Sequence, residues 1–166
     1  MERILIADDE ESIRFVLTKA MEKRGYSVEL AEDGIQALEK IKGERYSLIF
    51  MDIMMPGESG LDILTKVTDT PVIIMTAQDT MKNAIDAMKR GVALIYQGTL
   101  LHEDWSGRPD LLRRVEVPSD LGAWSYEAID IKSSREISEA QSTQLVFYAL
   151  LLKRIQGLKP ETLKII

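Results

Sequence analysis

Four short, nearly continuous apolar runs, each followed by a stretch of helical periodicity, constrain the fold of this chain more than anything else in it. The runs are RILIAD, SVELA, YSLIFMD and PVIIMTA, and the helical patterns follow over residues 10–24, 35–42, 61–66 and 80–90. Ile13, Leu17, Ala20 and Met21 fall on one helical face, as do Met81, Ala84, Ile85 and Met88, while Gly25, Gly43 and Gly91 supply stops. Strands joined through helices run parallel, and a strand apolar on both faces is one covered on both sides. The first part of the chain is therefore expected to be an α/β unit of four parallel strands.

In such sheets ligands collect beyond the carboxyl ends of the strands. Asp8 and Asp9 end the first run and Asp52 ends the third. A hard cation such as Mg²⁺ takes oxygen ligands in an octahedron and keeps several waters, so a few converging carboxylates suffice to hold it. Thr76 ends the fourth run and offers a hydroxyl to a phosphoryl oxygen. A single acid after a strand more often caps the next helix, a role open to Asp9 or Glu10. Three acids in register on strand ends point instead to a cation site.

The stretches ILIADDEESIR, LIFMDIMMPGESGLDIL and PVIIMTAQDTMKNAIDAMKRG resemble the receiver domains of two-component response regulators, those of the NtrC type in particular, over residues 1–91. The resemblance implies a flavodoxin-like fold in which Asp52 accepts a phosphoryl group from a histidine kinase or a small phosphodonor. It implies that Asp8, Asp9, Asp52 and the backbone carbonyl of Met54 hold Mg²⁺, and that Thr76 is the switch hydroxyl. Two departures stand out. The segment LDILTKVTDTPV leaves a third helix about a turn shorter than is usual in the family. Receivers also end in a fifth strand carrying Lys-Pro and a fifth helix, and counting on from Gly91 puts Gly98 where that lysine belongs. Developing negative charge then lacks a preorganised counter-charge.

From Val92 the pattern turns antiparallel. VALIYQGTLL is expected as one strand, HEDWSG as a polar turn, and RPDLLRRVEV and WSYEAIDIKSS as further strands. Residues 138–156 follow as a long apolar helix stopped by Gly157, and ETLKII as a short last strand. Asp110 and Asp130 fall on strands expected to be neighbours, and the period of two puts Asp130 and Lys132 on one face. Two carboxylates with an intervening carbonyl can hold Mg²⁺ or Mn²⁺, and an ammonium beside them orients water and offsets phosphate charge. Such a set suits phosphodiester hydrolysis. Gln141, Gln144 and Tyr148 make a polar stripe one helical turn apart. Taken singly, each of these features is ordinary on a solvated surface.

Their order and spacing resemble the PD-(D/E)XK nuclease superfamily, in its RecB-like branch with a Q-x-x-x-Y helix, over residues 80–166. The resemblance implies a mixed, restriction-endonuclease-like αβββαβ core. Asp110 and Asp130 would be its metal ligands, Lys132 its catalytic lysine, and Gln144 and Tyr148 supporting residues near DNA or RNA. The helical region that normally precedes such a core is replaced here by receiver-like sequence. His102 falls in the expected turn and is read as a surface residue.

The helix at 80–90, its glycine and the apolar strand beyond satisfy both patterns, and no Gly/Ser/Pro linker separates the halves. The expectation is a recombined or engineered chain whose domains, 1–91 and 80–166, share that helix. Three functions remain open: a phosphorelay receiver, a metal-dependent nuclease, or a chimera with neither activity intact.

Composition narrows the field. The absence of cysteine excludes a disulfide framework, a thiolate zinc site and a cysteine nucleophile. The net charge of −6 argues against strong non-specific nucleic-acid binding and leaves only a local strip of Arg108, Arg113, Arg114, Lys132 and Arg135. No apolar run approaches the ~20 residues of a membrane span, and MERILIADDEE has neither the basic start nor the apolar core of a signal peptide. A cytoplasmic protein with no membrane partner is predicted.

Overall fold

The structure, a computed structural model, describes residues 2–67, 69–75, 81–132 and 138–166. The chain divides into two compact units, Met1–Ala77 and Gln78–Ile166.

The first unit alternates β1 (Arg3–Ala7), α1 (Glu11–Glu22), β2 (Ser27–Ala31), α2 (Gly34–Gly43), β3 (Leu48–Asp52), α3 (Gly60–Leu64) and β4 (Val72–Met75). Its strands lie in the order β2-β1-β3-β4, all parallel, with Ile4 opposite Val28 and Leu48, and Asp52 opposite Met75. Ile4, Leu5, Ile6 and Ala7 are at most 1% exposed, as a central strand covered on both faces must be. Burying each of the three large side chains contributes about 1.5–3 kcal/mol. The chain reverses direction across the sheet between β1 and β3, which places a crevice beyond the carboxyl ends of those two strands.

The helices show where the apolar pattern misleads. In α1 the buried residue is Arg14, whereas Ile13, expected on the inner face, is 38% exposed. Neither Asp9 nor Glu10 caps this helix: Glu10 occupies the N-cap position without a side-chain hydrogen bond. Asp33 does cap α2, accepting the Gln36 backbone N–H at 2.7 Å, and Ser59 caps α3 by accepting the Leu61 N–H at 3.3 Å. The third helix is short, five residues long.

The second unit contains α4 (Met81–Lys89), β5 (Leu94–Tyr96), β6 (Leu100–His102), β7 (Trp105–Gly107), β8 (Leu111–Val115), β9 (Ser125–Asp130), α5 (Glu139–Gln156) and β10 (Lys164–Ile165). β8 pairs antiparallel with both β5 and β9, and β10 runs parallel to β9, giving a mixed sheet. Two expectations need correction. The apolar run from Val92 is not one strand but two, and HEDWSG is not a simple turn, since β6 and β7 form a separate hairpin that turns at Glu103 and Asp104. The break lies at Gln97, whose φ of 51° takes it out of the extended region, and at the buried Gly98 beside it. Trp105 of the hairpin stacks on Phe147 of α5 with centroids 5.3 Å apart, and the Arg154 guanidinium lies 4.4 Å from the Trp105 ring.

Helix α5 starts at a capping box: Ser138 accepts the Gln141 N–H, and the Gln141 side chain accepts the Ser138 N–H. It ends at Gly157, which adopts φ 71°. Its buried Gln156 accepts the Tyr126 N–H at 2.8 Å and donates to the Tyr126 carbonyl at 3.0 Å, acting as a short strand beside β9. Among the described residues no helix is long and apolar enough to cross a membrane.

Candidate functional site

β1 and β3 deliver their terminal acids to the crevice between them. Oxygens of Asp8, Asp9 and Asp52 all lie within 4.8 Å of one another, with Asp8 and Asp52 5% exposed and Asp9 at the surface. Asp52 Oδ1 is buried without a hydrogen-bond partner. Burial, and then the neighbouring charge of Asp8, push the Asp52 carboxyl up to about 6 against the pull of the Met54 and Ile53 amides. Burial also raises Asp8, although its carboxylate accepts the Glu10 N–H at 2.9 Å. Three carboxylates gathered in a partly desolvated crevice repel one another, and an unpartnered buried oxygen among them is costly. A divalent cation with oxygen preference relieves both, so the residues present fit Mg²⁺.

The loop after β3 folds back closely on this site. Gly60 donates its N–H to the Ile53 carbonyl at 3.1 Å, and a Cβ at Gly60 would stand 2.1 Å from the Asp52 carbonyl oxygen. Only glycine permits that approach. Thr76 lies outside the described residues.

Sequence reasoning missed Arg14. Its Nη1 donates to the carbonyls of Asp8 at 2.7 Å and Asp9 at 2.9 Å. The signal was available, because side chains in a first helical turn lean back toward the N-terminus and reach the preceding loop.

In the second unit the acid and amide residues predicted from sequence also come together. Asp110 precedes β8, and its Oδ2 accepts the Ile131 N–H at 2.8 Å, next to Asp130 at the end of β9. Asp130 is 2% exposed, and Lys132 Nζ stands 3.1 Å from its Oδ2 in an ion pair. The Asp130 carboxylate, with a smaller effect from Asp110, raises Lys132 above its ordinary value, so its ammonium stays charged. Gln144 donates to the Tyr148 hydroxyl at 2.7 Å, and that hydroxyl donates to the Arg108 carbonyl at 3.0 Å. Burial, opposed by Gln144 and reinforced by Asp130 and Asp110, raises Tyr148.

The basic strip does not form as a free surface. Arg113 pairs with buried Glu127, and Arg114 pairs with Glu116 while lying over Trp124, as adjacent residues on opposite faces of β8 must. Arg108 bonds Gln97, and Arg135 lies outside the described residues. His102 is half-buried in β6 rather than in a surface turn.

The fold and the acid crevice of the first unit define a class: a parallel α/β domain with a cation site at the carboxyl ends of its central strands. Residues 4–95 match the response regulator receiver domain family. The response regulator MprA of Mycobacterium ulcerans is 32% identical over 126 residues, which cover 73% of this chain and 54% of MprA. The chain thus spans about half the length of that curated relative. The Francisella response regulator 1452 receiver domain superposes with a TM-score of 0.53 at 32% identity, covering 58% of this chain and 83% of that domain. A response regulator from Burkholderia pseudomallei, solved with a phosphorylated aspartic acid, a calcium ion and citrate, gives 0.52 at 26% identity, covering 58% of each chain. This chain belongs to the response regulator receiver domain family, and its first unit has the flavodoxin-like receiver fold.

Proposed function

We propose that Asp52 is the phosphoacceptor of a two-component phosphorelay, supplied by a histidine kinase or by a small phosphodonor. The observation that carries this reading is the convergence of Asp8, Asp9 and Asp52 around a buried, unpartnered Asp52 oxygen. Asp8, Asp9, Asp52 and the Met54 carbonyl would hold Mg²⁺, which supplies charge neutralisation to the phosphoryl oxygens when bound. An Asp52 carboxylate oxygen attacks phosphorus, the new O–P bond forms, and the bond to the donor nitrogen breaks with its electron pair left on the imidazole. Thr76 is the proposed switch hydroxyl. The phosphorylated aspartic acid in the Burkholderia relative supports the same chemistry here. Incubation with a small phosphodonor and Mg²⁺ should add one phosphoryl mass that Asp52→Asn loses; equal labelling of both proteins would reject the assignment.

A second reading rests on a different observation: Asp110 is tied to the backbone beside Asp130, with Lys132 against Asp130. We infer that residues 78–166 carry a metal-dependent phosphodiester-hydrolysing site. Asp110 and Asp130 would be its ligands, Lys132 its catalytic ammonium, and Gln144 and Tyr148 its supporting residues. The order α4, β5, β8, β9, α5, β10, interrupted only by a hairpin, supports the nuclease-like core. The family match reaches residue 95 while the second unit begins at 78, which supports a recombined chain whose two parts share the helix at 80–90. Cleavage of DNA or RNA with Mg²⁺ or Mn²⁺, abolished by Asp130→Ala, is the expected result. Cleavage equal in both proteins would place the activity elsewhere, and none in either would leave a chimera without nuclease activity.

A further inference from the structure

The acid crevice of the first unit contains a member that its own contacts do not hold. Asp9 is exposed, and its carboxylate makes no hydrogen bond or ion pair among the described residues, yet it stays within 4.8 Å of two other acids. Mutual repulsion favours its turning out into water. The N-cap residue Glu10 makes no side-chain cap, and its N–H holds the carboxylate of Asp8, at 2.9 Å, rather than that of Asp9. The two carbonyls of the turn are held by Arg14. It is 8% exposed and the one buried residue of α1, and a single guanidinium nitrogen bridges the consecutive carbonyls of Asp8 and Asp9. With both carbonyls drawn to that nitrogen, the backbone of the turn is fixed from the side of α1. Among the described residues the Arg14 guanidinium forms an ion pair with Glu32, 3.7 Å away and 66% exposed, which contributes little, and its charge also acts on Asp8.

We propose that Arg14 is a positioning residue for the divalent-cation site, holding the Asp8–Asp9 turn so that both carboxylates face Asp52. The inference rests on the reading that these three acids bind Mg²⁺. Arginine suits the task because its planar, weakly hydrated guanidinium can be buried while bridging two acceptors, whereas a lysine ammonium is compact and strongly hydrated. The proposal predicts a sign that simple electrostatics does not. By Coulomb's law alone, removing a cation beside a cation site tightens Mg²⁺. Loss of positioning weakens it, by about 10–100-fold if Arg14 acts as outer-shell partners of metal ligands generally do.

The experiment is isothermal titration of the full chain with Mg²⁺ in an Asp130→Ala background that removes a ligand proposed for the second unit, comparing the otherwise wild-type chain with Asp9→Asn, Arg14→Gln, Arg14→Lys and Glu32→Gln, with circular dichroism as a check on folding. Saturable binding by wild type that Asp9→Asn loses establishes the site; its absence removes the metal reading itself, and this inference with it. Given binding, weaker affinity in Arg14→Gln is expected, and equal or tighter affinity overturns the proposal. If Arg14→Gln does not fold, Arg14→Lys is decisive. A weaker Lys variant supports the bridging guanidinium, and wild-type affinity shows that any cation suffices and overturns it. Glu32→Gln is expected to change affinity less than about twofold, since its pair is exposed; a loss matching that of Arg14→Gln assigns the effect to the Arg14–Glu32 contact that both variants break and overturns the bridge.

Discussion

Asp110 Oδ2 accepts the backbone N–H of Ile131 at 2.8 Å, so a carboxylate standing before β8 is fixed to the residue that follows Asp130 at the end of β9. The same group thus has a structural partner and a proposed metal role, and one substitution separates them. Asp110→Asn keeps an oxygen able to accept the Ile131 N–H, so stability should fall by less than about 1 kcal/mol. It removes one anionic ligand, so Mn²⁺ affinity of the second unit should drop, measured in an Asp52→Asn background that removes the other acid site's central ligand. Unchanged Mn²⁺ binding would sink the ligand assignment.

The Asp52 carboxyl, raised from 3.8 to about 6 chiefly by burial, makes stability depend on pH in a definite direction. A group whose folded value lies above its unfolded one stabilises the fold in its neutral form, fully below about pH 4, and that stabilisation is lost as pH rises through about 6. The loss is about 3 kcal/mol. Without divalent cation, Asp52→Asn should therefore be more stable than wild type near pH 7, with the gap closing at about pH 4 and narrowing on addition of Mg²⁺. Thermal unfolding followed by circular dichroism with a chelator present checks this. A variant less stable than wild type at neutral pH would contradict it.

Gly60 sets the close approach of the β3–α3 loop to the site. Alanine there would bring its Cβ to 2.1 Å from the Asp52 carbonyl and 2.9 Å from Met51 Cγ. Backbone has to move to relieve the first contact, so Gly60→Ala should cost about 1–3 kcal/mol and weaken Mg²⁺ binding together. Calorimetric titration and thermal unfolding of the same preparation measure both. Retention of wild-type affinity would show that the loop can shift without disturbing Asp52.

The alternation of strand and helix in the first unit was legible because parallel strands buried on both faces read as unbroken apolar runs. The meeting of Asp8, Asp9 and Asp52 followed, because the carboxyl ends of β1 and β3 are neighbours in any such sheet. Arg14 escaped because periodicity counts apolar side chains, and the buried position of α1 is a guanidinium whose targets are backbone carbonyls. The break at Gln97 escaped for the opposite reason: VALIYQGTLL keeps the composition of one strand through a residue whose positive φ ends it. In the second half, Ser138, Gln141 and Gly157 mark both ends of α5 locally, whereas the pairing of Gln156 with Tyr126 is a tertiary contact thirty positions apart and leaves no local trace.

That pairing should be costly to remove. Gln156 is fully buried and bonds both polar groups of the Tyr126 backbone as well as the Leu158 carbonyl. Gln156→Leu fills similar volume but leaves those groups unsatisfied, and should destabilise the second unit by roughly 2–4 kcal/mol. Trp105 and Trp124 both lie in that unit, so urea unfolding followed by tryptophan fluorescence reports it directly. A change under about 1 kcal/mol would mean that water replaces the lost bonds.

Gly98 decides whether the missing receiver lysine can simply be restored. From sequence, an ammonium at this position is expected to speed phosphorylation of Asp52. The packing of the second unit argues the reverse. Gly98 is buried, and a Cβ there would meet Ile95 Cγ2 at 2.9 Å, Ala84 Cβ at 3.1 Å and Leu112 Cδ1 at 3.2 Å. Ile95, Ala84 and Leu112 are themselves at most 1% exposed, so the neighbours have no room to give. Overpacking of this kind costs about 1–3 kcal/mol before the burial of a lysine stem and charge is added. Gly98→Lys is therefore expected to lower the thermal midpoint without raising the rate at which a small phosphodonor labels the chain. Mass spectrometry over a time course and a melt of the same protein test both parts. Faster labelling at an undiminished midpoint would show that the side chain escapes the pocket and reaches a phosphoryl group, and the reading of Gly98 as a packing position would then be wrong.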